Sequence, residues 1–221
     1  MQPPISVSGE YVIPRTAIVL FSTCFFLAVI VTTFWYQDWQ YSIPTAKPAG
    51  LFQPELGAKI SLPASDVLQV SGRPVFLHFF NPDCPCSRFN LDHIRRLIRE
   101  HRNDVRFVAV IQGDKPADQL QRAFTGLGLG IESVMDTAGE IGRATGVYAT
   151  PQAVLLDKNG RLFYRGNYNV SRYCVSPATE YARIALESML SGKPPAAMDS
   201  GAAAVYGCPL PKRDKGATRA I

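Results

Sequence analysis

From Thr16 to Tyr36 the chain carries no charged residue, and the run TAIVLFSTCFFLAVIVTTFWY is apolar almost throughout. At about 1.5 Å per residue a helix of that length spans roughly 30 Å, the thickness of a bilayer's hydrocarbon core. Phe34, Trp35, Tyr36, Trp39 and Tyr41 gather at its far end, as amphipathic rings do at a headgroup boundary. A cleaved leader would have a shorter apolar region, followed directly by a small-x-small cleavage site. Here the run is long and ends in bulky aromatics, so a retained anchor is expected. Arg15 precedes the run and the next basic residue after it is Lys47. That asymmetry places the N-terminus inside and the larger part of the chain on the extracytoplasmic, periplasmic side of a cell envelope. Cys24, within the span, reads as a small packing residue.

Five segments follow. Residues 1–15 form a cytoplasmic segment, 16–36 a transmembrane helix, 37–56 a linker, 57–192 a globular domain and 193–221 a tail. The linker holds Pro44, Pro48, Gly50 and Pro54 with few apolar residues, the composition of a tether. The tail is rich in Pro, Ala and Gly, and such a segment stays disordered unless something pins it.

Between them the periodicity is regular. Val75 to Phe80 is a short, mostly apolar run, the pattern of a strand buried on both faces. From Ser87 to His101, Leu91, Ile94, Leu97 and Ile98 fall at helical spacing, which leaves His93 and His101 facing solvent. Val105–Ile111 reads as a second strand, Pro116–Phe124 as a helix opened by proline, Ile131–Met135 as a short strand and Gly139–Thr145 as a short helix. Ala153–Leu156 and Arg161–Tyr164 flank the turn Asp157-Lys-Asn-Gly160 as a hairpin, and Ala178–Leu190 closes the domain as an amphipathic helix. This order calls for an α/β fold with a parallel start and an antiparallel finish, a central mixed sheet flanked by helices.

The chemistry sits at Cys84-Pro85-Cys86, between the first strand and the first helix. Backbone N–H groups at a helix start favour thiolate over thiol, and proline suits the first helical turn. FLHFFNPDCPCSRF resembles the strand-then-CxxC segment of the thioredoxin superfamily, and GVYATPQAVLLDKNGRLFYRG is similar to its cis-proline hairpin. The likeness covers roughly residues 56 to 192, and a looser one to redoxins reaches Gly207-Cys208. It implies a thioredoxin-like fold of the membrane-tethered thiol–disulfide oxidoreductase or redoxin type. It also implies that Pro151 is cis beside the cysteines, and that Thr150 offers backbone groups to an extended substrate.

The chain departs from the family in having CxC for CxxC. Counted from the strand, Cys84 takes the nucleophile position and Cys86 comes one residue early. Counted back from the proline, Asp83 takes that position and Cys86 the resolving one. A disulfide within CxC closes a smaller ring, and the strain makes it easier to reduce. His78, six residues before Cys84, occupies the place of the family's acidic proton relay and is a candidate acid or base; a core histidine is the plainer reading.

Cys174 and Cys208 complete the four cysteines outside the span, and the simplest division pairs them, fixing the tail to the domain. The rival is that one of them resolves Cys84. The function expected is thiol–disulfide exchange on protein cysteines, through Cys84, Cys86 and His78, with Thr150 and Pro151 binding substrate, and with no cofactor or metal. A thiol peroxidase would need a threonine three residues before its cysteine, which Asn81-Pro-Asp-Cys lacks. A copper carrier could use the CxC sulfurs, although no histidine follows His101. The net charge of +5 is scattered, which argues against a nucleic-acid footprint.

Overall fold

The computed structural model describes residues 14–69, 72–170, 177–194, 202 and 204–211. Two compact units divide the chain, one ending at Gln40 and the other beginning at Tyr41. The first is helix α1 (Arg15–Ser42). Its stretch from Arg15 to Trp39 is long and apolar enough to cross a membrane, and none of it is buried.

The second unit is built on a five-stranded sheet of order β3-β2-β1-β5-β6. Strands β1 (Val75–Phe80), β2 (Arg106–Ile111) and β3 (Glu132–Met135) run parallel. β5 (Gln152–Leu156) pairs antiparallel with β1, and β6 (Leu162–Gly166) antiparallel with β5. Helices α2 (Pro85–Phe89), α3 (Leu91–His101), α4 (Ala117–Thr125), α5 (Glu140–Thr145) and α6 (Tyr181–Leu190) complete the layers. The expected helix from Ser87 is thus two helices, divided at Asn90. At the hairpin, the Asp157 carboxylate accepts from the backbone N–H groups of Asn159 and Arg161, each at 2.8 Å.

Every residue of β1 is buried, as a continuous apolar strand at the centre of a two-faced sheet requires. Its side chains alternate. Phe76 and Phe80 enter a core with Ile94 and Leu97 of α3 and Ala182, Ala185 and Leu186 of α6. Val75, Leu77 and Phe79 enter a second core with Ile141 of α5, Val154 and Leu162. At Gly146, which ends α5 at φ +72°, an added Cβ would lie 2.9 Å from the Cα of Gln53, so the chain after α1 packs closely here. The segment read as a tether therefore touches the domain: the Gln53 amide donates to the Gly146 carbonyl at 3.0 Å.

His93 is buried, where a solvent-facing position was expected. It is 3% exposed, with its ring 5.6 Å from that of Tyr168 and its Nδ1 3.5 Å from the Glu180 carboxylate. Arg96 and Arg183 also hold Glu180. His93 stands four residues before Leu97, on the stripe that α3 buries. His78 is fully buried on the same side of the sheet, its ring 5.5 Å from Tyr168. Burial lowers His78 to about 3, with His93 adding to the shift. Burial lowers His93 as well, by more than the Glu180 carboxylate raises it.

Both histidines are then neutral in the folded chain, while the unfolded chain takes up protons below about pH 6.5. Their contribution to stability is complete above that pH and is lost as the pH falls toward the folded values. The loss is about 1.4 kcal/mol per pH unit for each histidine. Chemical denaturation of the chain in detergent should show a lower midpoint at pH 5 than at pH 7, and His93→Gln should reduce the difference by about half, leaving the part due to His78. A midpoint that rises on acidification would mean that Glu180 holds His93 charged.

Candidate functional site

β1 delivers the chain to a turn at Asn81-Pro82-Asp83, where the Asn81 side-chain oxygen accepts from the Asp83 N–H at 2.9 Å and its carbonyl from the Cys84 N–H at 3.1 Å. Cys84 is the N-cap of α2 with Pro85 at the first helical position, and its carbonyl accepts from the N–H of Ser87 at 3.1 Å. Its side chain is bonded to Cys208, across a sequence separation of 124, with the Cα atoms 6.1 Å apart.

The opposite wall comes from β4 (Ala149–Thr150) and the Thr150–Pro151 peptide, which is cis. The Thr150 carbonyl oxygen lies 3.5 Å from Cys84 Sγ. A disulfide sulfur has no proton, so this contact becomes a hydrogen bond only when Cys84 is reduced. The tail returns along this wall: β7 (Cys208–Pro209) pairs antiparallel with β4, with Thr150 opposite Cys208. Just before it, a Cβ on Gly207 would lie 2.1 Å from the Thr150 oxygen, and only glycine permits that approach. The Thr45 hydroxyl donates to the Gly207 carbonyl at 2.6 Å, the Tyr206 N–H to the Asn167 side-chain oxygen at 3.4 Å, and the Leu210 N–H to the Tyr148 carbonyl at 2.9 Å. The tail is pinned here by backbone pairing and a covalent bond, where its composition alone suggested disorder.

The expected pairing of Cys174 with Cys208 does not occur, because Cys208 is joined to Cys84; Cys174 itself lies outside the described residues. The fold brings the tail to the start of α2, a proximity that distance along the sequence does not reveal. Cys86 is buried, and its Sγ lies within 4.8 Å of those of Cys84 and Cys208. Asp83, the nucleophile position of the other register, is ion-paired with Lys115 at 2.6 Å. His78 is not brought to Cys84 by a hydrogen bond. Its Nδ1 lies 2.6 Å from the Tyr168 hydroxyl, and its Nε2 has no hydrogen-bond partner among the described residues. The bond is the pairing of the rival reading, in which the tail's Cys208 meets Cys84; Thr45 and Gly207 carry no such signal in the sequence, apart from the place of Gly207 beside Cys208.

A parallel-then-antiparallel sheet, a cysteine at the first helix start and a cis-proline facing it define a thioredoxin-like protein. Residues 53–209 match the family described as a domain of unknown function (DUF6436), and the chain belongs to that family. It is also similar to the thiol-disulfide oxidoreductase ResA of Halalkalibacterium halodurans, 23% identical over 97 residues, covering 44% of this chain and 55% of ResA. The chain thus matches about half the length of that curated relative. Two solved structures share the fold at a TM-score of 0.59 and 20% identity. One is a hypothetical protein from Sinorhizobium meliloti 1021, with 72% of this chain and 95% of that one covered. The other is an uncharacterized conserved protein from Geobacillus kaustophilus, with 77% and 97% covered.

The disulfide is directly checkable. Trypsin does not cut readily before proline, so Arg73 and Lys193 should survive digestion. A non-reducing digest should contain Ile60–Arg88 joined to Ile184–Lys212. Recovery of Tyr173–Arg183 joined to Ile184–Lys212 would restore the Cys174 pairing.

Proposed function

We propose that this chain is a membrane-anchored thiol–disulfide oxidoreductase that acts on protein cysteines in the cell envelope. Helix α1 is the single-pass anchor and the domain lies on the extracytoplasmic side. The observation that carries this reading is the Cys84–Cys208 bond, held at a helix N-cap and against the carbonyl next to a cis-proline. Exchange needs an attacking thiolate, a leaving thiolate and a sulfur line that substrate can enter. Cys84 is the exchanging sulfur. Thr150 presents the backbone edge on which an extended substrate strand pairs, and Pro151 fixes that edge beside the sulfur. The relatedness to ResA, itself named a thiol–disulfide oxidoreductase, points the same way. His78 is hydrogen-bonded to Tyr168 within the core.

A second reading has one observation behind it. The Sγ atoms of Cys84, Cys86 and Cys208 lie within 4.8 Å of one another, so a reduced site offers soft ligands of the kind copper(I) takes. Copper would then be cargo. Titrating the reduced chain with copper(I) against a chromogenic chelator separates the readings, since a carrier retains one equivalent and an exchanger none.

For the leading reading, the full chain in detergent should reduce insulin disulfides in the presence of a small dithiol, and Cys84→Ser should bring the rate down to that of the dithiol alone. A Cys84→Ser variant as active as the parent would remove Cys84 from the chemistry. The anchor is tested by alkaline carbonate extraction of membranes, where the protein should stay in the pellet.

A further inference from the structure

The tail does more than supply a sulfur. Any chain whose cysteine bonds to Cys84 from the open side must bring its backbone to Thr150, because the Thr150 oxygen lies 3.5 Å from Cys84 Sγ. The chain that does so here is the protein's own, extended, antiparallel to β4 and with its cysteine opposite Thr150. Resting on the oxidoreductase reading above, we propose that the tail strand is a built-in surrogate of the substrate: Cys208 resolves Cys84, and its strand displaces the product from Thr150 as it does so.

Three observations converge on this. First, the fit is shaped to the tail, since the Thr150 oxygen fills the space a Cβ at Gly207 would need. Second, the tail is guided by groups that hold no sulfur: Thr45 donates from its hydroxyl to the Gly207 carbonyl and from its N–H to the Val205 carbonyl, while Asn167 accepts from the Tyr206 N–H and Tyr148 from the Leu210 N–H. A reduced tail therefore has a defined place to return to. Third, Cys84 is 2% exposed with the tail in place, whereas Cys208 is partly exposed. Substrate sulfur reaches Cys84 only when the tail has left, and a ladder of two residue pairs is short enough to leave.

The steps balance. With both cysteines reduced and the tail undocked, the Cys84 thiolate attacks a substrate disulfide. The substrate S–S bond breaks, one substrate sulfur leaves as thiolate, and a Cys84–substrate disulfide forms. The Cys208 thiolate then attacks Cys84 Sγ. The mixed disulfide breaks, the second substrate sulfur leaves as thiolate, and the Cys84–Cys208 bond forms. The substrate is reduced by two electrons, the enzyme dithiol is oxidised by two, and the two enzyme thiol protons pass to the substrate thiolates through solvent. Because Cys208 can attack only from the position opposite Thr150, the substrate strand must give up that edge. Resolution and product release become one event.

The test uses the full chain in detergent, pre-reduced and desalted, mixed with a peptide carrying one intramolecular disulfide, then quenched by alkylation and weighed by mass spectrometry. Cys208→Ser should accumulate the Cys84–peptide adduct and release it about 100-fold more slowly, since an intramolecular thiol acts at a millimolar effective concentration. Gly207→Ala, which retains every thiol but cannot dock the strand, should also accumulate the adduct, with its formation undiminished. Cys86→Ser should not accumulate it. Accumulation in Cys86→Ser, with prompt release from Cys208→Ser and Gly207→Ala, would make Cys86 the resolving cysteine and overturn the inference while leaving the oxidoreductase intact. The absence of any Cys84 adduct in every protein would instead overturn the oxidoreductase reading.

Discussion

Phe79 lies opposite Gln152 where the central strand pairs with β5, and the meeting of the reactive segments follows from that register. Cys84 is five residues beyond Phe79 and Thr150 two before Gln152, so the same ladder that builds the core sets the sulfur against the carbonyl. The register is firmly held because β1 is buried on both faces. A slip by one residue would carry His78 from the Tyr168 side into the opposite aliphatic core and move Leu77 and Phe79 out of it. Packing of the two cores thereby positions a contact that lies outside both of them.

The tail adds a covalent constraint to that frame. In the chain-entropy model, a bond across 124 residues removes about 5 kcal/mol of denatured-state freedom, so the oxidised chain is strongly tied. Among the described residues, non-covalent contacts also hold the segment: one short ladder, Thr45 at Val205 and Gly207, Asn167 at Ala202, Ala204 and Tyr206, Tyr148 at Leu210, and the burial of Ala202 and Val205. Each hydrogen bond contributes about 1 kcal/mol net, so the disulfide is the largest single restraint on the segment.

Much of this was legible in the residues. The apolar run 16–36, the buried strand 75–80, the hairpin about Asp157-Gly160 and the Thr150-Pro151 segment each carry a local signal; the run is a helix long and apolar enough to span a membrane, and the other three form the strand, the hairpin and the cis-proline turn that their signals call for. The partner of Cys84 carries none. Residues 191–205 have no periodicity that would announce a return to the sheet, and sequence distance suggested pairing Cys208 with Cys174. His93 was misplaced for a related reason: polarity suggested solvent, whereas its spacing from Leu97 put it on the buried face. Contacts set by tertiary return, such as Gly207 on Thr150 or Gln53 on Gly146, leave only an isolated glycine as their trace.

On the proposed reading, Cys84 and Cys208 form an exchanging couple rather than a structural staple. Equilibrating the full chain in detergent against graded thiol–disulfide buffers, with acid quench and thiol trapping at each poise, tests it most directly. An exchanging couple should titrate as one two-electron transition, with both cysteines becoming alkylatable together, between about −120 and −270 mV, where thioredoxin-fold oxidoreductases lie. A bond that stays oxidised below about −300 mV, as structural disulfides do, would contradict the account.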